Sequence, residues 1–230
     1  MKLILLPGLD GTGNLYAGLI AQLPDYDCTV ISLPQSGAQS YVAVTQSIKR
    51  MLPDEAFILL AESFAGPIAA LLASEENPNL KGVVFVATFL SPPNRHLLAI
   101  ARRLPIKSLI RLPFARYFYQ PLFFGADVDD DLVELFEETV RSLPERLIKE
   151  RLDAIHTLDL DLSPVGLPVT YLQAASDMLV PASKALEFRK YFNKVTVKAI
   201  EGPHFLLQAN PCESAVAISE WVNLFVQSSD

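Results

Sequence analysis

Six short apolar runs, rich in β-branched residues and each closed by turn residues, punctuate the chain at Leu3–Leu6, Cys28–Leu33, Phe57–Ala61, Gly82–Phe89, Pro168–Gln173 and Val195–Ile200. Their hydrophobicity is continuous rather than alternating, which predicts strands covered on both faces. Longer segments between them, Tyr41–Leu52, Ala65–Ser74, Ala182–Phe192 and Glu213–Val226, read as helices, the last two amphipathic at helical period. Regular alternation of this kind predicts an α/β fold with a mostly parallel central sheet and helices on both faces. It breaks between Ser91 and about Pro164, where Pro-rich punctuation and helical patterns replace strands. A stretch of roughly seventy residues is too long for a loop in a compact domain, so a helical insertion is expected.

Composition narrows the class. Half of the 230 residues are hydrophobic and 20% are charged, enough apolar surface to offset the ordering entropy of one large core. We therefore expect a single domain with the insertion inside it. The net charge of −7 argues against nucleic acid as a partner, because neutralising phosphates needs a basic face. Cys28 and Cys212 lie far apart in sequence and match no disulfide framework or metal-ligand spacing, so both are expected to be buried thiols in a reducing compartment. The apolar run at the amino terminus stops at Pro7-Gly8, short of a signal-peptide core, and no segment is long enough to span a bilayer. A cytoplasmic location is the resulting expectation.

The insertion is electrostatically split. Between Ser91 and Ala126 stand Arg95, Arg102, Arg103, Lys107, Arg111 and Arg116 with no acid, whereas Asp127–Asp161 holds twelve acids against four bases. Phe114, Tyr117, Phe118, Tyr119, Phe123 and Phe124 crowd the basic half. Three readings fit: a lid over a hydrophobic pocket, a surface for weak peripheral contact with anionic lipid, or helices whose Arg stems cover core. Asp127, Asp129, Asp131 and Glu138 imitate a calcium loop, but its sixth position is Leu132 where glycine is required, and acids favoured by a helix N-terminus account for them better. His96 and His156 border the insertion, either lining a pocket or standing as solvated or capping residues.

The strongest chemical signal is Leu60-Ala61-Glu62-Ser63-Phe64-Ala65-Gly66, directly after an apolar run and opening a helical one. A serine on a sharp strand-to-helix turn is strained, so the residues two before and two after it must be small; here both are alanine. Taken alone, this pattern is common by chance and is more often a plain helix N-cap serine. Asp177 follows the run ending at Gln173, where an acid is also an ordinary turn residue. His204, in Glu201-Gly202-Pro203-His204, follows the last run, where a loop histidine is commonly structural. The conjunction decides. Serine, aspartate and histidine, in that order, each fall just past the C-terminal end of a predicted parallel strand, where open α/β sheets place ligands.

The amino-terminal loop, Leu6-Pro7-Gly8-Leu9-Asp10-Gly11-Thr12-Gly13-Asn14, invites a dinucleotide or phosphate reading. Tyr16 stands where the third glycine of that fingerprint belongs, no acid ends the next strand, and the lysine of a phosphate-binding loop is missing. A glycine-flanked turn beside a nucleophile can instead aim a backbone N–H at an oxyanion, with Leu9 and Phe64 as the pair.

In these residues the chain resembles the α/β-hydrolase-fold serine hydrolases, from Leu3 to Val226, with the insertion matching their variable cap. The Leu-Pro-Gly-Leu-Asp-Gly-Thr-Gly stretch is similar to a subgroup that includes bacterial esterase-like proteins and the hydrolase-like part of plant phytyl ester synthases. Pro7-Gly8 stands where many relatives carry His-Gly, and Ala61 and Ala65 where most carry glycine. The resemblance implies Ser63 as nucleophile, His204 as base and Asp177 as its orienting acid, with no metal or organic cofactor. Together with the aromatic insertion it implies hydrolysis of a carboxylic ester bearing a hydrophobic acyl or alkyl group. Acyl transfer, thioester or C–C hydrolysis by the same residues, and a non-catalytic small-ligand binder on the same fold, are the alternatives.

Overall fold

A computed structural model describes residues 1–126 and 128–227, with side chains through residue 224. Six strands, β1 (Lys2–Leu6), β2 (Asp27–Val30), β3 (Phe57–Glu62), β4 (Leu80–Val86), β5 (Val165–Ala174) and β6 (Phe192–Ile200), form one sheet in the order β2-β1-β3-β4-β5-β6. Every neighbouring pair is parallel. The connecting helices are α1 (Ala17–Ala21), α2 (Tyr41–Lys49) and α3 (Gly66–Ser74), then α4 (Arg95–Ala101), α5 (Ile106–Leu109), α6 (Arg116–Phe123), α7 (Asp130–Ser142) and α8 (Glu145–His156), followed by α9 (Lys184–Glu187), α10 (Leu206–Ala209) and α11 (Pro211–Gln227).

Strand alternation divides the core. Leu59, Phe85, Val169 and Tyr171 join one buried cluster with Phe64, Phe188 and Phe192; Leu60, Val84, Val86 and Leu172 join a second with Ile218 and Val222. Successive residues of one strand face opposite sides, so the apolar runs of β1, β3, β4 and β5 bury both faces, as predicted, whereas the edge strands do not: β2 has no buried residue and β6 only Phe192 and Ile200. From β1 the chain runs out to the edge strand β2 and returns to β3 on the far side of β1. That reversal of winding direction opens a crevice at the carboxyl ends of β1 and β3, where such sheets bind ligands.

The insertion is helical, as its punctuation suggests: α4–α8 are the elements between β4 and β5. They have a core of their own around Phe124, Val133, Phe136, Val140, Leu147 and Ile148, against which Leu9 and Phe205 pack. Helix α7 starts on Asp129, whose side chain caps the Asp131 N–H, so the acidic run opens a helix. Asp127 lies outside the described residues.

Two expectations need correction. The helix expected over Ala182–Phe192 is only α9 followed by a 3₁₀ turn at Phe188–Lys190, because Phe192 is already the first residue of β6, with the Val165 N–H bonded to the Tyr191 carbonyl. Phe188 and Phe192 are both buried, one from a turn and one from a strand, so their four-residue spacing imitates a helix. Nor are both cysteines buried: Cys28 is half-buried in β2, where desolvation pushes its thiol up, and Cys212 is exposed in the first turn of α11. Among the described residues no helix is long and apolar enough to cross a membrane.

Candidate active site

The turn from β3 into α3 carries Ser63 at φ 48°, a left-handed conformation that side chains other than glycine rarely adopt. Ser63 opens a 3₁₀ turn, Ser63–Ala65, that feeds α3, so the chain reverses direction at the serine. Buried Ala61 and Ala65 flank it, the small residues that a sharp elbow requires. Strain of this kind persists only when the surroundings over-determine it. Thr88, fully buried just after β4, donates its hydroxyl to the Ser63 carbonyl. The Tyr171 hydroxyl of β5 accepts from the Thr88 N–H at 3.1 Å and donates to the Thr88 carbonyl at 2.7 Å.

Gly66 completes this brace. A Cβ at that position would lie 2.0 Å from Thr88 Oγ1 and 2.7 Å from its Cγ2. Gly66→Ala must therefore push Thr88 off the Ser63 carbonyl, outweighing the gain in helix propensity. Urea unfolding should register a loss of about 1–3 kcal/mol, typical of overpacking; unchanged stability would mean that the elbow yields freely.

Ser63 Oγ lies 2.9 Å from His204 Nε2, and His204 Nδ1 lies 2.8 Å from Asp177 Oδ2. The His204 and Asp177 side chains are only 7% and 4% exposed. Asp177 sits on the loop after β5, its Oδ1 accepting the Leu179 and Val180 N–H groups at 2.8 and 2.9 Å, which leaves Oδ2 for the imidazole. The Ser176 N–H donates to the Gly202 carbonyl at 2.9 Å, tying the aspartate loop to the histidine loop. With Asp177 holding the proton on Nδ1, the lone pair of Nε2 faces the Ser63 hydroxyl, the tautomer a general base requires. The three residues expected from separate strand ends thus form one hydrogen-bonded chain.

The two expected N–H donors lie beside it. A Cβ on Gly8 would stand 3.6 Å from Ser63 Cβ, so the loop carrying Leu9 passes against the serine. Phe64 occupies the first turn after Ser63, where a helix start leaves its N–H groups without intrahelical acceptors.

Glu62, adjacent to the serine, is 5% exposed. It does not join the Asp10–Thr12 cluster, one of the arrangements the sequence left open: Asp10 Oδ1 is taken by the Thr12 N–H and hydroxyl at 2.8 and 2.6 Å. Its hydrogen-bond partner is Gln208 Nε2 at 3.2 Å, and the buried Tyr16 hydroxyl, which donates to the Leu6 carbonyl at 3.0 Å, stands close to it. Burial pushes its carboxyl up to about 7, opposed by Gln208, by the neighbouring Tyr16 and by the nearby His204. His96 lies in α4 and His156 ends α8; among the described residues neither shares a hydrogen bond with Ser63, Asp177 or His204.

Aromatic side chains wall one side of His204. Phe205 meets its ring edge-on at 5.8 Å between centroids and packs against Phe123, Phe124 and Phe136 of the insertion. The Phe205 N–H donates to the Phe123 carbonyl at 2.9 Å. Phe114, Tyr117 and Phe118 face solvent instead, Phe118 at 80% exposure.

The geometry on this fold defines a class. Residues 2–210 match the model of the alpha/beta hydrolase fold family, and the chain belongs to that family. A protein of Haemophilus influenzae provisionally named 2-succinyl-6-hydroxy-2,4-cyclohexadiene-1-carboxylate synthase is 33% identical over 97 residues, a match spanning 36% of this chain and 39% of that protein. The chain is also similar to the solved structures of an esterase from Exiguobacterium antarcticum (TM-score 0.83, 14% identity, 97% of this chain and 92% of that one) and of a lipase-esterase related protein from Clostridium acetobutylicum (TM-score 0.77, 19% identity, 95% and 93%).

Proposed function

We propose that the protein is a serine hydrolase that cleaves a carboxylic ester with a hydrophobic acyl or alkyl group through an acyl-enzyme on Ser63. The observation that carries this reading is the continuous hydrogen-bonded chain Ser63–His204–Asp177 on a strained, braced elbow. His204 Nε2 takes the hydroxyl proton as Ser63 Oγ attacks the ester carbonyl, and returns it to the leaving alcohol. Water, activated by the same nitrogen, then releases the acid. Asp177 orients the imidazole and stabilises its cation without itself accepting the proton. The Leu9 and Phe64 N–H groups hold the oxyanion, where loss of one donor costs about 3–4 kcal/mol of transition-state stabilisation. Half-buried Phe123 and Phe205, backed by the buried Phe124 and Phe136, give the substrate's apolar group its surface, with α4–α8 as the cap.

Purified protein should react with a fluorophosphonate probe and hydrolyse p-nitrophenyl esters, with kcat/KM rising as the acyl chain lengthens from acetate toward octanoate. Highest activity on short or charged esters would overturn the hydrophobic-substrate reading. A well-folded protein that neither labels nor turns over would overturn the hydrolase reading altogether. The relative from Haemophilus influenzae, named as a synthase, favours one second reading, in which the same three residues serve a non-hydrolytic reaction. Rapid labelling without turnover of any ester or thioester would support it.

A further inference from the structure

Arg151 of α8 is the bulkiest fully buried side chain among the described residues, at 0% exposure. Its contacts lie outside the insertion that carries it. Nη1 donates to the Leu9 carbonyl at 2.7 Å, Nη2 to the Pro34 carbonyl at 3.0 Å and Nε to Gln39 Oε1 at 3.1 Å. The guanidinium carbon stands 5.8 Å from the centre of the Phe64 ring. Burial lowers the guanidinium to about 10, against the pull of the Asp10 carboxylate, so it remains charged at neutral pH.

The loop after β1 is shaped around this group. Gly11, at φ 69°, would place a Cβ 2.3 Å from Nη1 and 2.9 Å from Cζ, so only a residue without a side chain lets the guanidinium in. The Gly11 N–H donates to the Gly8 carbonyl at 3.0 Å, closing a turn whose central residues are Leu9 and Asp10. Both peptide planes flanking Leu9 are consequently fixed. The Gly8–Leu9 plane is held by the Gly11 N–H on its oxygen, and the Leu9–Asp10 plane by Arg151 on its oxygen. In a planar trans peptide the N–H points opposite to the C=O. With the Gly8 oxygen turned into the turn, the Leu9 N–H points out of it, on a loop that passes against Ser63.

We propose that Arg151 is a positioning residue for the oxyanion hole: through the Leu9 carbonyl it locks the turn that aims the Leu9 N–H, and it makes this donor depend on the insertion's last helix. The inference rests on the hydrolase reading above. A buried Arg that merely filled space would have no need of three backbone and side-chain acceptors on another part of the chain. Polar groups buried this completely are costly unless paired, and every pairing here ends on the segments that flank Ser63 or follow β2.

The test is Arg151→Met, which keeps the length of the stem and removes the donors, with Arg151→Lys as the milder variant should the first fold poorly. Rates are expressed per site titrated with fluorophosphonate, so unfolded protein does not enter them. We expect kcat per titrated site to fall about 10²-fold with KM within threefold, the signature of a contact made in the transition state. An alkylboronic acid, which mimics the tetrahedral adduct, should lose affinity by a similar factor. Lysine should restore part of both. A kcat per titrated site within twofold of wild type would overturn the proposal, and so would a raised KM at unchanged kcat, which would make Arg151 a substrate contact. Wild-type protein that takes no label would instead overturn the hydrolase reading on which the proposal stands.

Discussion

Ser63→Ala is expected to abolish fluorophosphonate labelling and to lower kcat on the best p-nitrophenyl ester by a factor on the order of 10⁶, and His204→Ala should match it, as in enzymes whose nucleophile and base act as a unit. The alanine removes the attacking oxygen itself; the histidine variant leaves a hydroxyl that no base 2.9 Å away can deprotonate. The double variant should therefore be no slower than either single one. Asp177→Asn is the subtler case. An amide in place of the carboxylate presents its N–H₂ or its weaker oxygen to His204 Nδ1, which permits the wrong tautomer, and a loss of about 10⁴ in kcat is expected. The Leu179 and Val180 N–H groups can still find the amide oxygen, so the loop should survive, and circular dichroism of the variant should match wild type. Losses that multiply in the double variant would show that Ser63 and His204 do not act on the same proton.

These three residues were legible in the sequence because each is announced locally. A strand ends, a turn follows, and the chemically competent residue stands at the turn; strand order then brings Ser63 of the β3 turn and the loops after β5 and β6 to one edge. The helical character of the insertion was equally local, written in proline spacing and apolar period. What supports the site was not. Thr88 braces the Ser63 carbonyl from 25 residues away, Tyr171 holds Thr88 from 83, and Arg151 reaches Leu9 from 142. A Thr after a strand, a Tyr within one and an Arg on a helix have no local peculiarity, since their roles arise only when the sheet is assembled. Gly66 does carry a local signal: glycine has a low helix propensity, and its reason for standing at the start of α3 is the Thr88 side chain pressed against it. The same limit explains the shortened helix before β6, where Phe188 and Phe192 keep a helical spacing although one belongs to a turn and the other to a strand.

Glu62→Gln is expected to stabilise the protein, and to do so only on the alkaline side. The buried carboxyl ionises at about 7 in the folded chain, against 4.5 as the ordinary value, chiefly because burial deprives the carboxylate of water. Below 4.5 the group is protonated whether the chain is folded or not, and its neutral form is accommodated at full stability. As the pH rises past 4.5 the unfolded chain releases the proton first and folding becomes less favourable, until the folded chain also ionises near 7 and the loss levels off. The total is about 3 kcal/mol, from about 1.36 kcal/mol per unit. Glutamine keeps the shape and an oxygen for Gln208, but has no proton to lose. Urea unfolding at pH 5 and pH 8 should accordingly show the variant gaining on wild type by about 2–3 kcal/mol between the two conditions. Other titrating groups are common to both proteins and cancel in the comparison. An equal difference at both pH values would mean that the carboxyl ionises normally, and that Tyr16 and Gln208 already compensate for its burial.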